Sequence, residues 1–514
     1  MNSSTRRRLA ESWAPAWLIF AVLAGSALRR TSATYDEPVY VVAGLSYLTT
    51  GRFVMKDDAP PLVSYLAGAA AYAGGLRLPQ AALPFADSLG REYAFAPKVL
   101  FSDRARGDRL LEWAREVVFV PFSLLLFASV WGWANALADR ASARVAVWLA
   151  AGSPSLLAHA GVVSDDFACS AAWLAVSLEL YRFLKNPDAK TGLRLGAWTA
   201  LALACKFTSL LLLPIVVVGW GAVVVSGPAR RRNQAVRGGL VAAATALGLL
   251  AFLYGSPAAL GRYGAGVLNI YRNLNRNYRT YIFGHFFSRP PVYYYPCTIL
   301  LKESMALLLG SGAGLFFFWR QDKWERTARY SLLAPPAVLL AAALGDKVGV
   351  GLRRVLPIIP FLAVLCAVAY HEFAPRLRGA ALWAGAIILF QIGSAAAAWP
   401  NYLSYFNPAS RLAGEPLALL DESNLDWGQD LKALQAVLSA RAIKDGGLFY
   451  FGSVDPAAYG VPLRPLPESA LGRPLAGYYA VSAQYLIRIR ALAPNLFAPG
   501  SEIARADEIY LFKK

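Results

Sequence analysis

Charged residues are scarce in this chain: Asp, Glu, Lys and Arg make up 16% of its 514 residues, whereas 57% are hydrophobic. A soluble domain has about 25% charged residues. Long apolar runs recur between residues 14 and 399, and about 20 such residues are enough to cross the hydrocarbon core of a bilayer. The composition therefore excludes a water-soluble protein and predicts a polytopic membrane protein.

Cysteine and histidine are also rare. The four cysteines lie in or beside apolar segments, and their spacing fits neither a metal site nor a disulfide framework. We expect them to be buried as small hydrophobic side chains. Three histidines are too few for a multi-histidine metal centre. These residues are Cys169, Cys205, Cys297, Cys366, His159, His285 and His371.

Positive charge, in contrast, is in excess, with a formal net charge of +19. The basic residues lie in every second short loop between apolar runs, as the positive-inside rule predicts. We therefore attribute most of this charge to membrane topology and expect no nucleic-acid partner. The clusters are Arg6, Arg7 and Arg8; Arg140 and Arg144; Arg182, Lys185, Lys190 and Arg194; Arg230, Arg231, Arg232 and Arg237; Arg320, Lys323, Arg326 and Arg329; and Arg376 and Arg378.

The apolar runs predict about eleven transmembrane helices. The first run is followed at once by Arg29 and Arg30 and has no small-residue cleavage site, so we expect an uncleaved span. With the amino terminus inside, an odd number of spans puts the carboxyl terminus outside, and an even number reverses this. The spans lie near residues 14–30, 116–137, 142–158, 163–183, 194–205 (short, and partial or tilted), 208–226, 238–254, 293–318, 330–345, 355–371 and 380–398.

Three regions between or after these spans are large. In residues 31–115, the apolar stretches Val39 to Leu48 and Leu62 to Tyr72 are too short to span and predict helices at the membrane interface. Residues 255–292 are rich in tyrosine and arginine, which suits a surface facing anionic groups. The arginines there are Arg262, Arg272, Arg276, Arg279 and Arg289. Residues 400–514 predict a small α/β domain, with a helix at 430–440 and strands near 448–451, 478–481 and 509–512.

Acidic residues beside the predicted spans are candidates for chemistry. Asp36 and Glu37 follow the first span, Asp57 and Asp58 precede Pro60-Pro61, and Asp165 and Asp166 open the fourth span. Such carboxylates can accept a proton from a hydroxyl or hold a divalent cation. The alternative is structural, since acids at the start of a helix are favoured by its dipole or by capping.

Cations on the same predicted face complement these acids. They are Lys206, Arg353 and Arg354, which lie between predicted spans. Arginine binds phosphate with two parallel hydrogen bonds, whereas lysine acts as a point charge. The alternative is that they lie at helix ends and extend to the interface. The Gly310 to Gly314 segment predicts close helix packing rather than a nucleotide-binding loop.

The order of several motifs resembles the superfamily of protein O-mannosyltransferases and aminoarabinose transferases, whose fold is called GT-C. The first motifs are Tyr35-Asp36-Glu37-Pro38, Gly44-Leu45-Ser46-Tyr47-Leu48-Thr49-Thr50-Gly51 and Ala59-Pro60-Pro61-Leu62. Later segments resemble a bacterial branch of phospholipid-carrier-dependent glycosyltransferases. They are Phe283-Gly284-His285, Tyr293-Tyr294-Tyr295-Pro296, Leu352-Arg353-Arg354-Val355-Leu356-Pro357, Tyr402-Leu403-Ser404-Tyr405-Phe406-Asn407 and Asp421-Glu422-Ser423-Asn424-Leu425-Asp426-Trp427-Gly428-Gln429-Asp430.

The resemblance implies a mainly α, polytopic GT-C membrane domain over residues 1–399, with outer loops 31–115 and 255–292. A small extracytoplasmic α/β domain over residues 400–514 would follow. It also implies an inverting glycosyltransferase at the bacterial inner membrane, which moves a sugar from a polyprenyl-phosphate donor to a protein, lipid or glycan acceptor on the extracytoplasmic face.

The resemblance also implies roles for individual residues. Asp36, with Glu37, corresponds to the Asp-Glu pair of the superfamily, and Asp36 would be the general base or would orient the acceptor. Asp166 or Asp165 would match a second acidic motif. Lys206 with Arg353 or Arg354, alone or together with a divalent cation, would stabilise the departing phosphate. The sequence assigns no metal ligands.

The chain departs from the superfamily pattern at two positions. The superfamily has Glu-Lys or a histidine before Pro-Pro, where this chain has Asp58-Ala59, with Lys56 as a weak substitute. The residue that usually contacts the phosphate or the acceptor there is therefore missing from this chain, and Asp58 is kept as a candidate substrate-binding residue. Cys205 replaces a threonine that often precedes the lysine corresponding to Lys206.

Two other classes of function remain open at the level of sequence. A transporter or lipid flippase has many spans, but inverted repeats and acids near mid-membrane are typical of it, and we find neither pattern in the sequence. A membrane-anchored structural or receptor protein leaves the Asp-Glu and Pro-Pro-Leu motifs unexplained.

Overall fold

The structure, a computed structural model, describes residues 12–53, 55–79, 91–255, 258–273, 279–472 and 476–514. Arg6, Arg7, Arg8 and Arg276 of the predicted basic clusters lie outside the described residues. Helices form most of the part before residue 399. In chain order they are α1 (Ala14–Arg30), α2 (Glu37–Thr50), α3 (Leu62–Ala73), α4 (Arg91–Leu100), α5 (Arg104–Leu137), α6 (Arg140–Ala151), α7 (Pro154–Ala160), α8 (Asp165–Lys185), α9 (Ala189–Cys205), α10 (Leu212–Ser226), α11 (Ala229–Leu253), α12 (Ala259–Asn273), α13 (Tyr294–Lys302), α14 (Met305–Arg320), α15 (Arg326–Leu344), α16 (Ile359–Phe373) and α17 (Ala380–Ala398).

The predicted spans all coincide with a helix or a pair of helices. Two 3-10 helices, Phe207–Leu211 and Leu352–Ile358, lead directly into α10 and α16. Within the described residues, seven helices are long and apolar enough to cross a membrane, or eight if α13 and α14 form one span. The multi-pass membrane character is therefore confirmed, while the number of eleven spans stays a prediction.

Two of the predicted spans are broken, and a third helix begins early. The predicted span 142–158 is divided into α6 and α7 at Gly152-Ser153, where the Ser153 hydroxyl accepts from the Leu156 amide at 3.3 Å. The predicted span 293–318 bends by 120° between α13 and α14, where Ser304 caps the second helix. Helix α5 begins at Arg104 rather than 116, because Asp103 accepts from the Arg106 amide at 3.2 Å. Serine and aspartate stop or start helices in this way by satisfying free amides.

Helices α2 and α3 cross at two glycines. A Cβ atom on Gly44 would lie 1.6 Å from the Ser64 carbonyl oxygen, and one on Gly68 would lie 2.2 Å from the Gly44 carbonyl carbon. Only glycine lets two backbones approach this closely. Helix α2 is buried from Glu37 to Tyr47, so this apolar stretch lies inside the fold rather than along its surface. Gly314 allows a similar approach to Leu365 on α16, as the glycine-rich segment predicts.

The polar region after α17 contains a five-stranded sheet of order β4-β3-β5-β7-β6. Strands β3 and β5 are parallel, and β7 is antiparallel to both β5 and β6. A hairpin of β1 and β2 lies earlier, after α12. The strands are β1 (Thr280–Ile282), β2 (His285–Phe287), β3 (Gly447–Phe449), β4 (Arg464–Pro465), β5 (Tyr478–Ser482), β6 (Ala504–Ala506) and β7 (Ile509–Lys513), and the helices are α18 (Pro416–Leu419), α19 (Leu431–Ala440) and α20 (Ala483–Leu492).

This region has two hydrophobic cores, one on each face of the sheet, because successive side chains along a strand point to opposite faces. Leu448 and Leu511 pack with helix α19 on one face. Phe449 and Phe512 pack with helix α20 on the other face. The predicted helix and all three predicted strands are confirmed, within two residues at each end. The boundary of a separate domain at residue 400 stays a prediction.

The cysteines are free, and three of the four are buried, with Cys297 half-buried. This matches the expectation that they serve as small hydrophobic side chains.

Candidate active site

A cavity of about 430 Å³ lies where the start of α2, the start of α8 and the two 3-10 helices meet. Seven of the eight predicted site residues line it: Asp36, Asp58, Asp165, Asp166, Lys206, Arg353 and Arg354. Part of its wall is apolar and comes from Leu210, Leu211, Val267, Ile270 and Ala342. The cavity therefore combines four carboxylates, several cations and a hydrophobic side, although its residues come from six distant parts of the sequence.

Asp36 is held on both of its carboxylate oxygens. The Tyr93 hydroxyl donates to Oδ1 at 3.0 Å, and Nη1 of Arg353 donates to Oδ2 at 3.0 Å. Burial, and then the charge of Asp36, raise the pKa of Tyr93 well above its usual value, so its hydroxyl keeps its proton. Two ionised carboxylate oxygens have about four lone-pair sites. Asp36 therefore retains acceptor capacity for a further hydroxyl.

Arg353 connects Asp36 to the polar region after α17. Its Nη2 donates to Glu422 at 3.3 Å and its Nε donates to the Val350 carbonyl at 3.1 Å. The guanidinium carbon lies 4.4 Å from the centre of the Trp427 ring. A planar guanidinium that stacks on an indole ring and donates in several directions is fixed in one orientation.

Lys206 pairs with the two acids at the start of α8. Its ammonium group contacts both Asp166 and Asp165, the latter at 3.1 Å. The acids occupy the first turn of α8, where the helix dipole favours negative charge. Lys206 lies directly after the last residue of α9, and this places its side chain over the first turn of α8. These acids thus occupy the position that the helix dipole favours, and they also line the cavity.

Lys56, the weak substitute for the basic residue that usually precedes Pro-Pro, lies on the cavity wall. Its ammonium group donates to Asp58 at 2.8 Å and lies 4.9 Å from the centre of the Tyr40 ring. Burial lowers the pKa of Lys56, but Asp58 and the nearby tyrosines outweigh it, so the net pKa is well above the usual value. Lys56 is therefore a permanent cation in the cavity. Its backbone has a φ of 54°, which is uncommon for a residue other than glycine.

Arg354 also lines the cavity, but one edge of its guanidinium is paired with Asp346. Nε and Nη2 donate to the two oxygens of Asp346 at 2.7 and 2.9 Å. This two-armed pair is the strongest geometry that arginine makes with a carboxylate. Of the two neighbouring arginines, Arg353 is therefore the one that shares its charge with a candidate catalytic group.

Glu37 is the one predicted site residue that does not line the cavity. It is buried in a two-armed ion pair with Arg115, at 2.7 and 2.6 Å. Its oxygens also accept from the amides of Thr34 and Val163. Glu37 thus connects the start of α2 to α5 and to the turn before α8, which supports a positioning role rather than contact with substrate.

The cavity gives little support for a cation site. Within the described ranges, no group of three or more histidine, cysteine, aspartate or glutamate residues is arranged to hold a metal ion. The acids on the wall are instead paired with lysine or arginine. A divalent cation would therefore have to displace these partners, and we derive no step through a metal.

Two comparisons with known proteins bear on this geometry. A family model described as dolichyl-phosphate-mannose-protein mannosyltransferase matches residues 108–254, which include Asp165, Asp166 and Lys206. The crystal structure of ArnT from Cupriavidus metallidurans bound to undecaprenyl phosphate has a TM-score of 0.52 at 13% identity, over 97% of both chains. The apo state of ArnT gives 0.51 at 13% identity, over 99% of this chain and 98% of ArnT. The chain has the fold of ArnT, the GT-C fold.

The GT-C fold accounts for the architecture that the motifs predict, a multi-helix membrane part followed by a smaller region with a sheet. Curated protein sequences provide no match to the chain.

Several residues that contact the charged side chains of the cavity were not predicted from the sequence. Glu422 and Trp427 lie within the Asp421 to Asp430 motif, so a signal for them was present, but nothing in it indicated Arg353 as their partner. Tyr93 and Asp346 have no signal of their own, because a lone tyrosine in a helix and a lone aspartate in a loop are common in any chain.

Proposed function

We propose that this GT-C protein is an inverting glycosyltransferase that moves a sugar from a polyprenyl-phosphate donor to an acceptor hydroxyl or amine. The observation that carries the proposal is the cavity, where Asp36 lies together with Lys206, Lys56 and Arg353. A base for the acceptor and cations for a leaving phosphate are the two requirements of this reaction. The ArnT structure bound to undecaprenyl phosphate supports the same class of donor.

In the proposed reaction, the acceptor attacks the anomeric carbon from the side opposite to the phosphate. The new bond forms between the acceptor heteroatom and this carbon, and the acceptor proton passes to Asp36. The bond between the anomeric carbon and the phosphate oxygen breaks, and its electron pair leaves with the polyprenyl phosphate. Lys206 and Arg353 would stabilise the negative charge that develops on this oxygen. In-line displacement inverts the anomeric centre.

The apolar wall of the cavity supports a donor with a lipid tail. Val267 and Ile270 of α12 and Leu210 and Leu211 of the first 3-10 helix line the same cavity as the charged residues. A polyprenyl chain can remain in contact with such side chains while its phosphate meets the cations. We propose a bacterial inner membrane as the location, with the cavity on the extracytoplasmic face, as the positive clusters of the alternate loops indicate.

The test is sugar transfer by the purified full-length protein with a panel of polyprenyl-phosphate-linked hexoses and pentoses. We expect one donor to be consumed and Asp36→Asn to reduce its transfer about 100-fold or more, since it removes the proton acceptor. Asp57→Asn is the matched control, because this acid lies in the loop between α2 and α3 and does not line the cavity.

Two outcomes would contradict the proposal. Full transfer by Asp36→Asn would remove Asp36 from the reaction, and failure of every donor in the panel with folded wild-type protein would exclude this donor class. The thermal unfolding midpoint of each variant in detergent shows whether it is folded.

A further inference from the structure

The segment Asp421 to Asp430 lies against the candidate active site, although it follows the last predicted membrane span. The Trp427 carbonyl accepts from the Tyr35 amide at 2.8 Å. The Gln429 carbonyl accepts from the Ser32 amide at 2.8 Å. These bonds pair the segment with the residues that immediately precede Asp36.

The same segment also holds the cation of Asp36. Glu422 is buried and accepts from Nη2 of Arg353 at 3.3 Å, while Nη1 donates to Asp36. The Trp427 ring covers one face of the guanidinium. One arginine is therefore shared by two carboxylates, one from each end of the sequence.

The orientation of the Glu422 carboxylate is fixed by its surroundings. Its backbone has a φ of 57°, in the left-handed region, which a residue other than glycine keeps only where neighbours hold it. Its amide donates to Gln484 of α20 at 2.7 Å, and its Oε2 accepts from the Ser423 amide at 2.5 Å. The remaining oxygen, Oε1, is the one that faces Arg353.

We propose that Glu422 is a positioning residue that holds Arg353 beside Asp36 and limits the charge that Arg353 offers to a phosphate in the cavity. The proposal rests on the proposed function, because it concerns the same donor phosphate. A phosphate that enters the cavity competes with Glu422 for Nη2, while Nη1 stays on Asp36. Glu422 thus weakens binding of the phosphate and keeps Arg353 in its working orientation.

This division of roles predicts opposite effects on binding and on turnover. In Glu422→Gln, Arg353 loses one of its two anionic partners, and the surroundings of the cavity become more positive by one charge. A phosphate should then bind more tightly. Turnover should fall, because Arg353 is less firmly oriented and the product phosphate leaves more slowly. If Glu422 had a merely structural role, its replacement would lower both the affinity for the phosphate and the turnover.

The binding test uses undecaprenyl phosphate as the probe and the full-length protein in detergent. We expect Glu422→Gln to lower the Kd at least three-fold. Glu415→Gln is the matched control, an exposed acid in the same region, and it should leave the Kd unchanged. In a protein that carries Arg353→Lys, the added Glu422→Gln should give no comparable gain, since lysine lacks the second arm. With the donor that the panel selects, Glu422→Gln should lower both KM and kcat, the latter at least five-fold.

Three outcomes decide the matter. An unchanged or higher Kd for folded Glu422→Gln, with normal binding by the wild type, overturns this inference and leaves the proposed function intact. Absence of binding by the wild type overturns both. If Glu422→Gln does not fold, Glu422→Asp replaces it: the shorter side chain withdraws the charge from Arg353, so a smaller gain in affinity is expected, and no gain overturns the inference.

Discussion

Each charged side chain on the cavity wall has a partner of opposite charge among the described residues. Lys206 is the extreme case, because one ammonium group is shared by both Asp165 and Asp166. Breaking a buried pair leaves an uncompensated charge, which costs about 3–5 kcal/mol. A phosphate in this cavity would therefore meet cations that are already oriented, and it would share them with carboxylates.

Lys206→Gln tests this view at a single residue. We expect the affinity for undecaprenyl phosphate to fall at least ten-fold, because the cavity loses one cation and keeps both acids. The measurement is a binding titration at constant pH and salt. Lys185→Gln is the control: this lysine lies at the other end of α8 and pairs at 2.9 Å with Glu325, outside the cavity. Equal affinities for the two variants would remove Lys206 from phosphate binding.

At the scale of elements, the crossing of α2 and α3 sets the position of the loop that carries Lys56 and Asp58. This loop joins the two helices, and the helices can approach only through Gly44 and Gly68. A single methyl group at the crossing would separate the backbones and shift the loop.

Gly68→Ala should therefore lower the thermal unfolding midpoint of the purified protein by several degrees. Gly25→Ala in α1 is a matched control, since a Cβ atom there meets nothing within 4 Å. Alanine stabilises a helix by about 0.5–1 kcal/mol relative to glycine, so the control should be unchanged or slightly more stable. A midpoint for Gly68→Ala equal to that of the control would contradict the close packing.

The positions of helices could be predicted from the sequence where the length of an apolar run determines them. Helix α17 and the 3-10 helix with α16 coincide with apolar runs to within a few residues. The breaks at Ser153 and Ser304 were missed, because apolar residues continue on both sides and only a single polar residue marks each cap.

The chemistry of the site was predictable in part for a related reason. Carboxylates, lysine and arginine beside membrane spans are conspicuous in an apolar sequence, so the residues of the cavity could be selected. Their partners could not, because the pairing of Arg354 with Asp346, or of Glu37 with Arg115, depends on how helices distant in sequence pack.

At the scale of the whole molecule, the polar region after α17 contains buried carboxyl groups. Burial raises the pKa of Asp421 to about 7, of Asp426 to about 6 and of Glu508 to about 7. In the unfolded chain these groups ionise near pH 4. Between about pH 4 and pH 7 the folded state therefore binds more protons, and its stability falls as the pH rises.

We accordingly expect the thermal unfolding midpoint to fall by several degrees between pH 5 and pH 8. Glu508→Gln should reduce this fall, because it removes one of the groups that hold a proton only in the folded state. Asp445→Asn, a change at an exposed acid, should leave the pH dependence unchanged. A midpoint that rises with pH over this interval would contradict the prediction.

The bonds between residues 32–35 and residues 427–431 have a consequence for biosynthesis. The surroundings of Asp36 are made by two stretches that leave the ribosome at opposite ends of translation, about 400 residues apart. Until the later stretch has emerged and folded, Tyr35 lacks its backbone partner and Arg353 lacks one of its anions. A nascent chain thus has its described membrane helices before the surroundings of Asp36 are complete.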